Sequence, residues 1–280
     1  MGSTAESRSS KRNTSEADRP IGVFDSGIGG LTAVRELRRV LPAEDIIYLG
    51  DTARVPYGTK SEETIKRFAE QDVDFLRRFD IKLIVVACNT VSSVAIEHLR
   101  AKYRDLPILG VLEPGVEEAC RTAESGRIGV IGTIATIESR RHVREIKKRG
   151  DFQVLCRPCP LFVPLAEEGL VTGQIPELVA HMYLDELRGK VDSLILGCTH
   201  YPLLTETISR VMGPGVKLIN VSHEVARKAR EYLGEKGFLR EKGRGNLRVY
   251  LTDIPPHYEE LIYRFLGEKP ESVEKVELEF

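Results

Sequence analysis

The 280-residue sequence contains no apolar run approaching the roughly 20 residues that span a bilayer, and its N-terminus lacks the apolar core of a secretory signal. It also lacks any block of like charge, because 41 lysines and arginines nearly cancel 42 aspartates and glutamates. Neither a membrane nor a nucleic acid is expected as a partner on these grounds, which leaves a small molecule. The five cysteines are odd in number and follow no secreted-disulfide spacing, so free thiols in a reducing, cytoplasmic compartment are expected.

What the sequence does have is alternation. Residues 1–19 are polar and Ser-rich, with nothing that could bury a face, and read as a flexible tail. From Pro20 onward, short β-branched runs alternate with amphipathic helical stretches, the pattern of an α/β chain with largely parallel sheets. Strands are expected near residues 21–24, 45–49, 82–87, 108–111, 127–131, 153–155, 192–196, 216–219 and 247–251, and Thr59-Lys60-Ser61-Glu62 reads as a capping box.

Two cysteines end equivalent hydrophobic runs, Ile84-Val85-Val86-Ala87-Cys88 and Leu194-Ile195-Leu196-Gly197-Cys198, and each is followed by small polar donors. Upstream of each lies a matching Ile-Gly-Val strand, at Ile21-Gly22-Val23 and Ile128-Gly129-Val130. The chain thus reads as two pseudo-symmetric doubly wound halves, each delivering one thiol to a cleft between them. The expected domains are 20–113 with 221–280, and 114–220. A thiol at a strand exit beside hydroxyl, amide and imidazole groups is placed for proton transfer.

The turn Asp25-Ser26-Gly27-Ile28-Gly29-Gly30 follows a strand and opens a helix, without the G-x-G-x-x-G of a dinucleotide loop. Its backbone N–H groups suit an anion, and Asp25 suits either a helix cap or a contact with a catalytic group. Together with Gly50-Asp51-Thr52-Ala53-Arg54-Val55-Pro56-Tyr57-Gly58, Ala87-Cys88-Asn89-Thr90 and Gly197-Cys198-Thr199-His200, this turn resembles the glutamate racemases of the aspartate/glutamate racemase family. The resemblance covers Pro20 to about Leu233.

The resemblance implies interconversion of L- and D-glutamate for peptidoglycan synthesis, with no cofactor and no metal. It implies that Cys88 deprotonates D-glutamate and Cys198 L-glutamate, assisted by Asp25, His200 and Glu167. It further implies substrate contacts from Asp25, Ser26, Tyr57, Gly58, Asn89, Thr90, Thr199 and His200, and a homodimer. Two thiols, one protonated and one not, can invert an α-carbon by taking a proton from one face and returning one to the other. Thr133, Thr136 and Ser139 stand in the equivalent turn of the second half, as further donors or as helix caps.

The sequence departs from the family pattern at Ser139-Arg140-Arg141-His142, which is basic and bulky, and at Asn220, where an aspartate is usual. Cys156-Arg157-Pro158-Cys159 forms a C-x-x-C without a second ligand pair, which favours ordinary thiols over a zinc half-site. Two other functions fit the residues. One is a racemase or isomerase of aspartate or another small acid, against which His200 after Cys198-Thr199 argues. The other is a non-catalytic α/β protein that binds a small ligand at Asp25–Gly30.

Overall fold

The computed structural model describes residues 15–278. Ten strands form in chain order: β1 (Ile21–Asp25), β2 (Ile46–Gly50), β3 (Leu83–Val86), β4 (Ile108–Gly110), β5 (Arg127–Gly132), β6 (Gln153–Pro158), β7 (Ser193–Gly197), β8 (Lys217–Asn220), β9 (Leu247–Leu251) and β10 (Ser272–Lys275). The helices are α1 (Leu31–Val40), α2 (Glu62–Arg77), α3 (Asn89–Val94), α4 (Ile96–Lys102), α5 (Leu112–Thr122), α6 (Ile134–Glu138), α7 (Arg141–Lys147), α8 (Phe162–Glu167), α9 (Gln174–Leu184), α10 (Thr205–Met212), α11 (Val221–Lys236) and α12 (Tyr258–Leu266). Residues 1–14 of the expected tail lie outside the described residues, while Glu16–Asp18 form a 3-10 turn whose Ala17 carbonyl accepts from Lys82 Nζ at 2.7 Å.

The strands build two parallel sheets, one in the order β10-β9-β2-β1-β3-β4 and the other β6-β5-β7-β8. The order β2-β1-β3-β4 recurs as β6-β5-β7-β8, so β1 corresponds to β5 and the strand before Cys88 to the strand before Cys198. The internal match between the two Ile-Gly-Val strands is therefore a match of architecture. Parallel strands covered on both faces must be apolar throughout, and β1, β2, β3 and β7 are buried at every position.

Alternation along these strands sorts the core. Ile21 and Val23 pack with Leu31, Val34 and Leu37 of α1, whereas Phe24 packs with Ile65, Ala69, Val73 and Leu76 of α2 on the other face. The α1 cluster runs on through Val116 of α5 and Val225 of α11 to Ile128, Val130 and Ile195 of the second sheet, so the two halves share one apolar layer. The far face of the second sheet packs against Phe162, Ala180, Leu184 and Ile208.

Two local expectations shift. The helix after the 51–60 loop starts at Glu62 with Ser61 as its cap, its hydroxyl accepting from Thr64 N at 3.3 Å, because Thr59 is taken up in the 3-10 turn Tyr57–Thr59. The edge strand β10, half-exposed and polar in sequence, was not anticipated. No helix among the described residues is long and apolar enough to cross a membrane.

Candidate active site

Both cysteines lie where parallel strands give way to helices, the usual ligand-binding edge of such sheets. Cys88 caps α3, and Cys198 follows β7 directly. They are 4% and 6% exposed, so each thiol is enclosed.

The Cys88 side is built by the first turn. Asp25 ends β1, and its Oδ2 accepts from Gly27 N at 3.2 Å and Gly30 N at 2.9 Å, so it does cap the entry to α1. It is also 1% exposed and within electrostatic reach of both Cys88 and His200. Burial raises its pKa, opposed by the charge of His200 and by the backbone donors. Cys88 Sγ donates to Ser26 Oγ at 3.6 Å, and burial together with the Asp25 charge pushes its pKa up to about 12. Next to it, Asn89 is 3% exposed, and both its amide nitrogen and its oxygen have no hydrogen-bond partner among the described residues. Leaving such groups unpaired costs roughly 1–3 kcal/mol, so the amide is poised for a polar ligand.

The Cys198 side is a relay. Cys198 Sγ faces His200 Nδ1 at 3.8 Å, Thr199 Oγ1 stands 3.3 Å from the same nitrogen, and His200 Nε2 meets Glu167 Oε1 at 3.0 Å. Burial opposes charge on the imidazole, but the hydrogen bonds to Cys198 and Glu167 outweigh it and raise its pKa to about 10. Glu167, an acidic helper by the family resemblance, keeps a half-exposed side chain whose carboxylate reaches the histidine.

The halves meet at this edge. Thr90 Oγ1 lies 3.2 Å from Thr133 Oγ1 and 3.4 Å from Thr136 Oγ1, and Thr133 also caps α6 by accepting from Thr136 N. Gly29 is held against the second half so closely that a Cβ there would fall 2.4 Å from His200 Cε1 and 2.5 Å from Thr199 Oγ1. Gly58 faces Thr133 in the same way, with its Cβ position 3.0 Å from that residue. Most of the expected site residues are thus brought to one edge.

Tyr57 is the exception. Its side chain is wholly buried, and its hydroxyl is held by Asp51 and Asp72 behind the loop, which leaves its backbone beside Gly58 as the part nearest the cleft edge. The pull comes from a buried polar cluster around Arg54 that the sequence reading did not single out. Also unforeseen are Thr32, whose Oγ1 lies 3.0 Å from the Thr199 carbonyl oxygen, and α12, which sets Phe265 edge-on to His200 with ring centroids 5.0 Å apart and Arg264 on the Glu167 carbonyl. Asn220 caps α11 by accepting from Ser222 N at 3.1 Å, a role its side chain fills as an aspartate would. Cys159 is fully buried with its thiol donating to the Arg157 carbonyl at 3.6 Å, and Cys156 lies on β6.

The family model described as Asp/Glu/Hydantoin racemase matches residues 21–229. The chain belongs to this family. It is 51% identical to the glutamate racemase of Persephonella marina over 86% of this chain and 91% of that one, and 47% identical to that of Aquifex aeolicus over 90% and 95%. Among solved structures, the family likeness extends to glutamate racemase from Francisella tularensis in complex with D-glutamate, with a TM-score of 0.88 and 42% identity over 94% of this chain and 98% of that one.

Proposed function

We propose that the chain interconverts L- and D-glutamate by passing α-protons between two thiols, with no cofactor and no metal. The observation that carries this reading is the placement of Cys88 and Cys198 at equivalent ends of equivalent sheets, each nearly buried and each with its own partner. Cys88 takes the proton of D-glutamate and Cys198 that of L-glutamate, while the opposite thiol supplies a proton to the other face. Asp25 assists the first thiol; His200, backed by Glu167, assists the second. The unpaired Asn89 amide, the hydroxyls of Ser26, Thr90 and Thr199, and the backbone at Gly58 receive the carboxylates and the ammonium.

Enclosure by water-excluding walls strengthens these interactions, but it also means that substrate enters only when the halves part. The moving units in this reading are 20–113 with 221–280, and 114–220, pivoting on the apolar layer shared by α5 and α11. The product feeds peptidoglycan synthesis in the cytoplasm, where all five cysteines stay free thiols as they are here. A second copy of the chain docks on α9, where Ile175, Leu178 and Met182 make an exposed apolar stripe at helical spacing.

Incubation with L-glutamate in D2O tests the chemistry: α-deuteration with loss of optical rotation, absent from Cys88→Ala and Cys198→Ala, is the expected result. Exchange with aspartate but not with glutamate would overturn the substrate, and loss of optical rotation that survives either substitution would overturn the mechanism.

A further inference from the structure

Asp72 lies in the middle of α2 and is 0% exposed, in register with Ile65, Ala69 and Leu76 on the apolar face of that helix. A carboxyl group there is costly and needs partners. Those it has are shared with Asp51, also 0% exposed, across the loop 51–60 that carries Gly58 to the cleft. Asp51 is richly served: Arg54 Nε donates to its Oδ2 at 2.6 Å, Thr252 Oγ1 donates to its Oδ1 at 2.8 Å, and the Tyr57 hydroxyl makes the shorter of its two contacts with it. Among the described residues, Asp72 has Arg54 Nη2 at 3.4 Å from its Oδ1 and the Tyr57 oxygen at 3.1 Å from its Oδ2.

A phenol carries one proton. With that proton given to Asp51, the contact between Tyr57 and Asp72 has no hydrogen unless Asp72 brings it. A single guanidinium likewise balances only one of the two buried carboxylates. We infer that Asp72 is a positioning residue that keeps its proton at neutral pH and donates it to the Tyr57 oxygen, so that a neutral acid fastens the 51–60 loop to α2.

The surroundings agree on every side. Burial and the charge of Asp51 raise the pKa of Asp72 well above the usual carboxylate range, against the opposing charge of Arg54. From β1, Asp25 adds a further negative charge, and from β2 Tyr48 faces Asp25, Cys88 and Asp72 alike. The charged groups of α4 are engaged elsewhere, Glu97 with Arg141 and Lys102 with Glu70, and Asp74 of α2 accepts from Tyr103. A neutral Asp72 also keeps a second negative charge away from Asp25 and Cys88, where a thiolate must form in the reaction proposed above, on which this last consequence rests.

Asp72→Asn tests the inference, since its amide can donate to Tyr57 and accept from Arg54. Racemisation at neutral pH is expected to stay within about twofold of the parent chain, whereas Asp51→Asn, which removes the required anion, raises KM by about tenfold or more. The protonated-carboxyl stretch in the infrared spectrum at neutral pH is expected to lose one component in Asp72→Asn and none in Asp51→Asn. This spectrum needs no turnover, so it stands or falls apart from the choice of substrate. An unchanged band in Asp72→Asn, or activity losses in the reverse order or of equal size, would overturn the inference.

Discussion

Cys198 Sγ stands 3.8 Å from His200 Nδ1, whereas the other thiol, Cys88, donates to the neutral Ser26 hydroxyl at 3.6 Å. The pseudo-symmetric scaffold therefore presents two chemically unlike thiols. An imidazole beside one sulfur and a buried carboxyl group beside the other would give the two half-reactions of the proposed mechanism different assistance.

Removing either thiol is expected to stop racemisation. In the proposed mechanism each acts as an acid or base in the inversion, and such groups contribute roughly 100- to 10,000-fold, so Cys88→Ser and Cys198→Ser should lower kcat/KM by at least that much. Stopped-time polarimetry on L- and D-glutamate checks it. Two enantiomers in water have equal free energy, so kcat/KM must fall by one common factor in both directions; racemisation retained at near the parent rate in either variant would mean that the thiols do not act as a pair.

His200→Asn and Glu167→Gln separate the relay from the thiols. The histidine substitution should cost about 100-fold in kcat, and the half-exposed Glu167 about tenfold or less. Because this relay serves Cys198, the α-deuterium isotope effect should rise more for L-glutamate than for D-glutamate. Equal rises for both enantiomers would remove the assignment of His200 to one side.

The pH dependence follows from the same group. A histidine whose folded pKa is raised from 6.5 to about 10 stabilises the fold fully below about 6.5, and that contribution is lost as pH rises toward 10. Cys88, pushed up to about 12 by burial and by Asp25, adds a loss of the same sign at higher pH. The melting temperature should therefore decline across the alkaline window, with His200→Asn showing a flatter decline than the parent chain. Histidine NMR titration of Cys198→Ala should find the His200 midpoint moved down, since one of its two hydrogen-bonded partners is gone.

Much of this was legible in the sequence, for reasons that also explain what was not. The strands before Cys88 and Cys198 are buried on both faces, so they must be continuous runs of apolar residues, and such runs stand out. The strand β10 has the sequence Ser272-Val273-Glu274-Lys275 and lies at an edge, where one polar face is tolerated and no pattern forms. The inward turn of the Tyr57 side chain was not legible, because one of its two carboxylate partners, Asp72, comes from a helix 15 residues further along the chain. Phe265 and Arg264 touch the site from α12, beyond the stretch where motifs guide the eye. The buried Asp72 did leave a signal, a carboxylate in register with Ile65 and Ala69.

Gly29→Ala probes how closely the halves must approach. The added Cβ would lie 2.4 Å from His200 Cε1, and relieving that overlap pushes the imidazole or the first turn aside. Overpacking of this kind costs about 1–3 kcal/mol, which the shared core can absorb, but a displacement of about 1 Å at reacting groups costs on the order of 100-fold in rate. Circular dichroism should show a folded protein with a modestly lowered melting temperature and activity reduced about 100-fold. Full activity would mean that the closed arrangement around His200 is not the reacting one.

Far from the site, Lys82 Nζ and Glu44 Oε2 form an ion pair at 2.5 Å with both side chains 0% exposed. Lys82 also donates to the carbonyls of Ala17 and Phe238, and Glu44 Oε1 accepts from Arg240 N, so the pair ties the chain before β1 to the segment before β9. Lys82→Met leaves a buried carboxylate without its counter-charge and should destabilise the fold by about 3–5 kcal/mol. The double variant Lys82→Met with Glu44→Met removes both charges, and by the same reasoning should recover a large part of that loss. Urea denaturation of the four proteins of this cycle measures the coupling. If the double variant is as unstable as the sum of the single ones, the charges are not acting on each other, and the two carbonyl contacts of Lys82 are what hold these segments together.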